Sequence, residues 1–222
     1  VVEWKNLQRF QVQLTEQIIS GELPVLSECL SSQFPSIIKH VQQLSGAPGT
    51  PVATSVFMRR YGLFIAAQLY LKAHNKVWDG PLHDIRLTEA DGSITFAVNS
   101  RYIREAHEDD LKFILNNFCH PVVEALAAKG NIAKLILWEN IWGYVLWMYH
   151  SLAADKEQGT VDLQLLLADS VWQPKMASSP FRKFLNGRTF TEAATQYQRI
   201  TCCLYKDLPA AGNCPYCPLS KE

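Results

Sequence analysis

Four of the six cysteines stand close together near one end of the chain, as the adjacent pair Cys202-Cys203 and as Cys214-Pro-Tyr-Cys217. Thiols crowded in this way can exchange disulfides, hold a single metal ion, or hold an iron–sulfur cluster. A glutaredoxin-like dithiol site needs a strand before its Cys-x-x-Cys and a helix after it, because the helix N-terminus lowers the pKa of the attacking thiol. Pro218 follows Cys217 directly and only five residues remain, which leaves no room for that helix. A structural zinc ion suits four thiolates, but its ligands normally come as pairs two to four residues apart. Adjacent cysteines would have to bend the backbone to converge on one ion. A [2Fe-2S] cluster takes two thiolates on each iron and presents them over a larger object, so an adjacent pair is less awkward. Spacing leans toward iron and leaves zinc open.

The remaining composition bounds the partners. Lys and Arg number 21, Asp and Glu number 21, and the formal net charge is +0, so nothing draws the whole molecule to nucleic acid or to an anionic membrane. Ile132 to Ala154 is the most apolar run, yet Lys134, Glu139, Asn140 and His150 interrupt it. A buried helix is expected there rather than an integral membrane segment. No basic stretch followed by an apolar one opens the sequence, so a cytoplasmic location is expected, with at most transient contact with the inner face of the membrane. The first residue is Val, which leaves a preceding leader open.

The elements that must position the cysteines read as α+β and predominantly helical. Trp4, Leu7, Phe10, Leu14 and Ile18 recur at helical spacing, with Gly21 as a stop. Further helices are expected from Pro35 to Leu44, Val52 to His74, Arg101 to Asn117, and, after a break at His120-Pro121, to Ala128. Ile132 to Ala154 forms the expected spine. Alternation on either side of Asp91-Gly92 predicts a β-hairpin over 84–98. Thr189 and Glu192 form a capping box for a short helix. The chain thus divides into a helical body, 1–195, and a small irregular C-terminal module, 196–222.

The stretch CCLYKDLPAAGNCPYCPL has the order Cys-Cys, ten residues, Cys, two residues, Cys-Pro-Leu, with Arg199 ahead of the pair and Leu204-Tyr205 after it. It resembles the motif of the FhuF-like ferric-siderophore reductases. The resemblance covers about the last two dozen residues. It implies that Cys202, Cys203, Cys214 and Cys217 bind a [2Fe-2S] cluster, and that the protein reduces cytosolic iron held by hydroxamate-type siderophores. Release by one electron is chemically sensible, because hard oxygen ligands hold ferric iron far more tightly than ferrous iron. Neither a GxGxxG stretch nor a P-loop is present, so electrons are expected from an external donor, a ferredoxin- or flavin-type reductase.

Substrate residues are ranked by chemistry alone. Arg59 and Arg60 interrupt an apolar helix and could donate to carboxylate or hydroxamate oxygens, or simply form its polar edge. Arg101 and Arg104 offer the same groups, or could meet the acidic run Glu105 to Asp110. Glu139 and Asn140 lie between Trp138 and Trp142, which read as core, and are candidates for a chelate pocket or for buried hydrogen bonding. Residues 171–206 carry Lys175, Arg182, Lys183, Arg188, Arg199 and Lys206 against Glu192, a patch for an anionic complex or acidic donor, or a solvated face. The six histidines show no HxxxH spacing, so no second metal site is expected. Cys119-His120 and Cys29 read as buried groups. Two other functions stay open: a non-enzymatic binding protein with structural zinc, and an iron–sulfur carrier or sensor.

Overall fold

The structure is a computed structural model that describes residues 5–16, 23–154, 156–209 and 211–220. The chain opens with a single turn, α1 (Asn6–Arg9), and a strand, β1 (Val12–Thr15). The helix expected over 4–19 is therefore corrected: Gln11 takes a left-handed φ of 56° and ends it. Leu14 satisfies a helical period, but Val12 and Leu14 also alternate, and pairing with a distant strand decides between the two. Trp4, Ile18 and Gly21 lie outside the described residues.

Next come α2 (Leu26–Cys29), α3 (Phe34–Ser45) and α4 (Thr50–Ala73). Gly46, at φ 71°, closes α3 in the left-handed conformation that favours glycine. Pro51 stands in the first turn of α4, where its missing N–H costs nothing. Buried side chains surround α4 on all sides, as in a helix through the middle of a core.

The strands are β2 (Lys76–Trp78), β3 (Arg86–Ala90), β4 (Ser93–Asn99) and β5 (Ile103–Glu105). β3 and β4 form the expected hairpin, with Asp91 and Gly92 both at positive φ, as a two-residue turn of that handedness requires. β1 adds to β4 in parallel, Val12 opposite Phe96, and β2 pairs antiparallel with β5, Val77 opposite Arg104. The helix expected from Arg101 is corrected here too, because residues 103–105 are held extended by that pairing.

Helix resumes at α5 (Asp110–Ile114), passes through a π-helical turn at Leu115–Cys119, and continues into α6 (His120–Gly130). The expected break at His120-Pro121 is absent. A proline ring clashes with the carbonyl four residues earlier, here Asn117, and the wider π turn at that point relieves the clash. Asn131 ends α6 at φ 49°. α7 (Lys134–Ser151) follows, then α8 (Glu157–Leu167), α9 (Pro180–Phe184) and α10 (Phe190–Thr195). The capping box of Thr189 and Glu192 opens α10 as expected.

α4 and α7 are the spine, packed more extensively on each other than any other pair of helices. Their approach is closest at Gly62, where a Cβ would lie 2.8 Å from the Asn140 carbonyl oxygen. Trp138 and Trp142 are core residues against Phe181. α8 docks through a buried ion pair, Lys72 Nζ to Asp162 Oδ1 at 3.2 Å. Among the described residues no helix is long and apolar enough to cross a membrane.

Candidate metal centre and the clefts beside it

The segment leading into the cysteine pair is fastened to the spine by a buried polar network. Glu139 is fully buried on α7. Its Oε1 accepts the Ile200 N–H at 2.7 Å and its Oε2 accepts the Thr201 N–H at 2.8 Å, and the Thr201 hydroxyl donates to Oε2 as well. Arg199 Nη2 stands 3.4 Å from Glu139 Oε2 and donates to Asn140 Oδ1 at 2.9 Å. Asn140 Nδ2 donates to Ser55 Oγ at 2.9 Å, and Ser55 Oγ donates to the Cys203 carbonyl at 2.7 Å. The close crossing at Gly62 is what lets Asn140 on α7 reach Ser55 on α4. A buried charge pair is tolerable only when its remaining polar atoms are satisfied, and here the backbone of residues 200 and 201 does that.

Of the two roles expected for Glu139, a chelate pocket or buried hydrogen bonding, this network shows the second. Both carboxylate oxygens are spent on the module's own backbone, so Glu139 positions Cys202 and Cys203. Asn140 and Arg199 share that task, although both also reach the wall of a cleft described below.

Beyond the anchor, Leu204 adopts a left-handed φ of 60°, unusual for a residue with a Cβ and a mark of an over-determined turn. Its N–H lies 3.4 Å from Cys202 Sγ. Leu219 N–H lies 3.4 Å from Cys217 Sγ, and the Tyr216 N–H is directed at the Cys214 sulfur. Cys203 Sγ and Cys214 Sγ are 3.6 Å apart, and together with Cys217 they form a small buried cluster under Tyr205, with Cys202 half-buried beside it. The Arg199 N–H donates to the Tyr216 carbonyl at 3.0 Å, and Tyr197 packs on Tyr216 at 5.0 Å between ring centroids. Those contacts bind the two cysteine limbs to each other.

All six cysteines are free thiols. Burial pushes the Cys214 thiol up to about 11, and its neighbours Cys203 and Cys217 add to the rise. Residues 211–220 form turns, and none of the described residues after Cys217 is helical. An attacking dithiol needs a lowered thiol pKa, the opposite of what burial does here. Among the described residues no group of three or more His, Cys, Asp and Glu side chains is arranged to hold a metal ion. The fit of a cofactor is therefore judged on the donor set: four soft thiols from two limbs, three of them facing a backbone N–H. That set suits an iron–sulfur cluster, whose sulfurs are tuned by such hydrogen bonds.

Two clefts flank the module and meet at Arg59 and Tyr144, which line both. One, of about 330 Å³, runs past Arg60 and Ser93 to Tyr205. The other, of about 580 Å³, is bounded by Arg9, Trp147, His150, Tyr197 and Tyr216. Among the described residues no Asp or Glu lines either. The Arg59 guanidinium lies over the Tyr205 ring, 4.8 Å from its centroid. Arg60 donates to Ser93 Oγ at 2.8 Å and to Gln11 Oε1 at 3.3 Å.

Arg101 and Arg104 stand elsewhere and line neither cleft. Arg101 meets Asp84 at 3.3 Å, and Arg104 grips Asp110 through two hydrogen bonds of 2.8 Å and Asp79 through one of 2.6 Å. Their substrate role is set aside in favour of ion pairing. Half of the basic stretch is likewise paired: Arg182 with Asp169 at 2.8 Å, Lys206 with Asp207 at 3.0 Å, and Arg199 with Glu139. Cys119 and His120 form no catalytic dyad. Burial raises the Cys119 thiol above its ordinary range, and the His120 ring packs edge-on against Trp138 and Trp172. Cys29 is buried as well, its thiol pushed up to about 12 by desolvation.

Sequence reasoning missed Ser55, whose partner Cys203 lies 148 positions away, and Arg9, which no motif marks. No protein-family model and no curated protein matches the chain.

Proposed function

We propose that the protein is a cytoplasmic ferric-siderophore reductase in which Cys202, Cys203, Cys214 and Cys217 hold a [2Fe-2S] cluster. When bound, such a cluster supplies single electrons, the currency needed to turn siderophore-held Fe(III) into loosely held Fe(II). The observation that supports the proposal is the setting of the cysteine motif: Cys203, Cys214 and Cys217 share a buried cluster, the segment carrying Cys202 and Cys203 is pinned to the α4–α7 spine, and two arginine-bearing clefts beside it have no carboxylate among their described lining residues. Glu139, Asn140, Ser55 and Arg199 fix the position of Cys202 and Cys203. The N–H groups of Leu204, Tyr216 and Leu219 stabilise negative charge on sulfur. Arg59, stacked on Tyr205, stands between the module and both clefts, where its N–H groups can orient a ferric chelate by its oxygens. Tyr205 packs against the buried thiols and limits water there. Electrons reach the module from a separate donor, a ferredoxin- or flavin-type reductase.

The cofactor assignment is tested by anaerobic purification with a visible spectrum and iron and acid-labile sulfide analysis, repeated on Cys203→Ser. Red-brown protein with about two irons and two sulfides per chain, altered by the substitution, supports it. Colourless protein with about one zinc per chain replaces it with a structural metal site.

A further inference from the structure

The larger cleft is built for negative charge. Arg9 and Arg59 approach it from α1 and α4, and among the described residues neither has a carboxylate partner. Both are held by aromatic faces instead, Arg9 over Trp147 at 5.4 Å and Arg59 over Tyr205 at 4.8 Å. Stacking fixes a guanidinium while leaving its in-plane N–H groups free, the geometry that grips carboxylates in pairs. His150 lines the cleft with them, and among the described residues no acid does. The Tyr197 hydroxyl, on the same wall, is buried with no hydrogen-bond partner. A buried polar atom left unpaired is costly unless something binds there. At about 580 Å³ the cleft falls within the roughly 300–1,000 Å³ typical of small-molecule sites.

From these features we infer that this cleft selects ferric chelates carrying net negative charge through carboxylate groups, over neutral or cationic tris-hydroxamate complexes. The inference rests on the reductase proposal for its biological sense, and it names a different ligand class from the hydroxamates that the motif resemblance implies. Arg9 and Arg59 hold the carboxylates, Tyr197 donates to one of their oxygens, and Trp147 and Tyr144 pack against the ligand's carbon frame.

Gallium(III) complexes test this directly, because gallium(III) mimics the ferric ion in size and charge but is not reduced. Calorimetric titration compares anionic gallium–citrate, metal-free citrate and the cationic gallium complex of desferrioxamine B. The expected result is tightest binding of gallium–citrate, at least about tenfold over the cationic complex, weakening as salt is raised. Arg59→Gln loses about tenfold and Arg9→Gln several-fold, as expected when a charge-assisted contact is removed. Arg101→Gln, which removes the same charge far from the cleft, leaves affinity unchanged. Equal binding of the cationic complex, equal binding of metal-free citrate, no binding of gallium–citrate, or an Arg59→Gln protein indistinguishable from Arg101→Gln overturns the inference. Failures of the two proposals are separable. Colourless protein that still prefers gallium–citrate removes the reductase and keeps the anionic site; cluster-bearing protein that is reoxidised by tris-hydroxamates and blind to charge removes the anionic site alone.

Discussion

Replacing Glu139 by Gln tests whether the buried network positions the cysteine module. The carboxylate faces the N–H groups of Ile200 and Thr201 on separate oxygens and stands 3.4 Å from Arg199 Nη2. Gln keeps the shape but presents one acceptor oxygen and one NH₂, so one backbone N–H meets another donor. The Arg199 guanidinium, 7% exposed, loses its counter-charge. Removing one partner of a buried pair costs about 3–5 kcal/mol, a large part of the 5–15 kcal/mol or so that holds a typical domain together. At an m-value of about 2 kcal/mol/M, the urea midpoint falls by roughly 2 M. Urea unfolding followed by far-UV circular dichroism reads that loss, and metal analysis of the same preparation reads whether the thiols still hold a cofactor. An E139Q protein with the wild-type midpoint and the wild-type metal content refutes the positioning role.

Three further outcomes follow from the same geometry. Ser55→Ala removes the hydroxyl that bridges Asn140 to the Cys203 carbonyl; a loss of about 1–3 kcal/mol is expected in urea unfolding, with metal content reduced. Gly62→Ala forces a Cβ to within 2.8 Å of the Asn140 carbonyl, and overpacking at the α4–α7 crossing should cost about 1–3 kcal/mol by the same assay. Burial, helped by the charge of Lys175, lowers the folded pKa of His120 below its ordinary value, so the unfolded chain binds this proton first and stability falls as pH drops through about 6.5. Comparing the melting-temperature drop from pH 7.5 to 5.5 in wild type and His120→Phe checks it: the variant, which keeps an aromatic ring against Trp138 and Trp172, should drop less.

Local signals were readable in the sequence and distant ones were not. Asp91-Gly92, the apolar length of α4 and α7, and the Thr189–Glu192 box each act within one element, and each appears where expected. β1 was hidden because its partner β4 lies some eighty residues on, and Leu7, Phe10 and Leu14 satisfy a helical period equally well. α8 was hidden because its face toward the core carries Gly159 and Asp162 beside Leu166 while Val161 and Leu165 are exposed, which blurs the apolar pattern a helix normally shows. Asp162 tolerates that burial only because Lys72 meets it from α4.

The candidate site divides the same way. Cysteine spacing is a local fact, and Cys203, Cys214 and Cys217 lie in one buried cluster. Glu139 and Asn140 were singled out as polar groups on an apolar helix and Arg199 as part of the cysteine motif and the basic stretch, yet their task depends on Ile200, Thr201 and Ser55, which only the tertiary fold delivers. The basic stretch looked unopposed because Asp169 and Asp207 fall just outside it and Glu139 comes from another helix. Arg59 lines both clefts and stacks on Tyr205; Arg101 and Arg104 are held by Asp84, Asp79 and Asp110.

The most direct test of the central claim is an anaerobic single-turnover experiment. Dithionite-reduced protein, freed of excess reductant, is mixed with a ferric siderophore in the presence of a ferrous-specific chelator, and the visible spectrum is followed. Reoxidation matched by about one ferrous ion trapped per electron lost, absent in Cys203→Ser, is the predicted result. A reduced protein that stays reduced against anionic and hydroxamate chelates alike contradicts the assignment as a ferric-siderophore reductase.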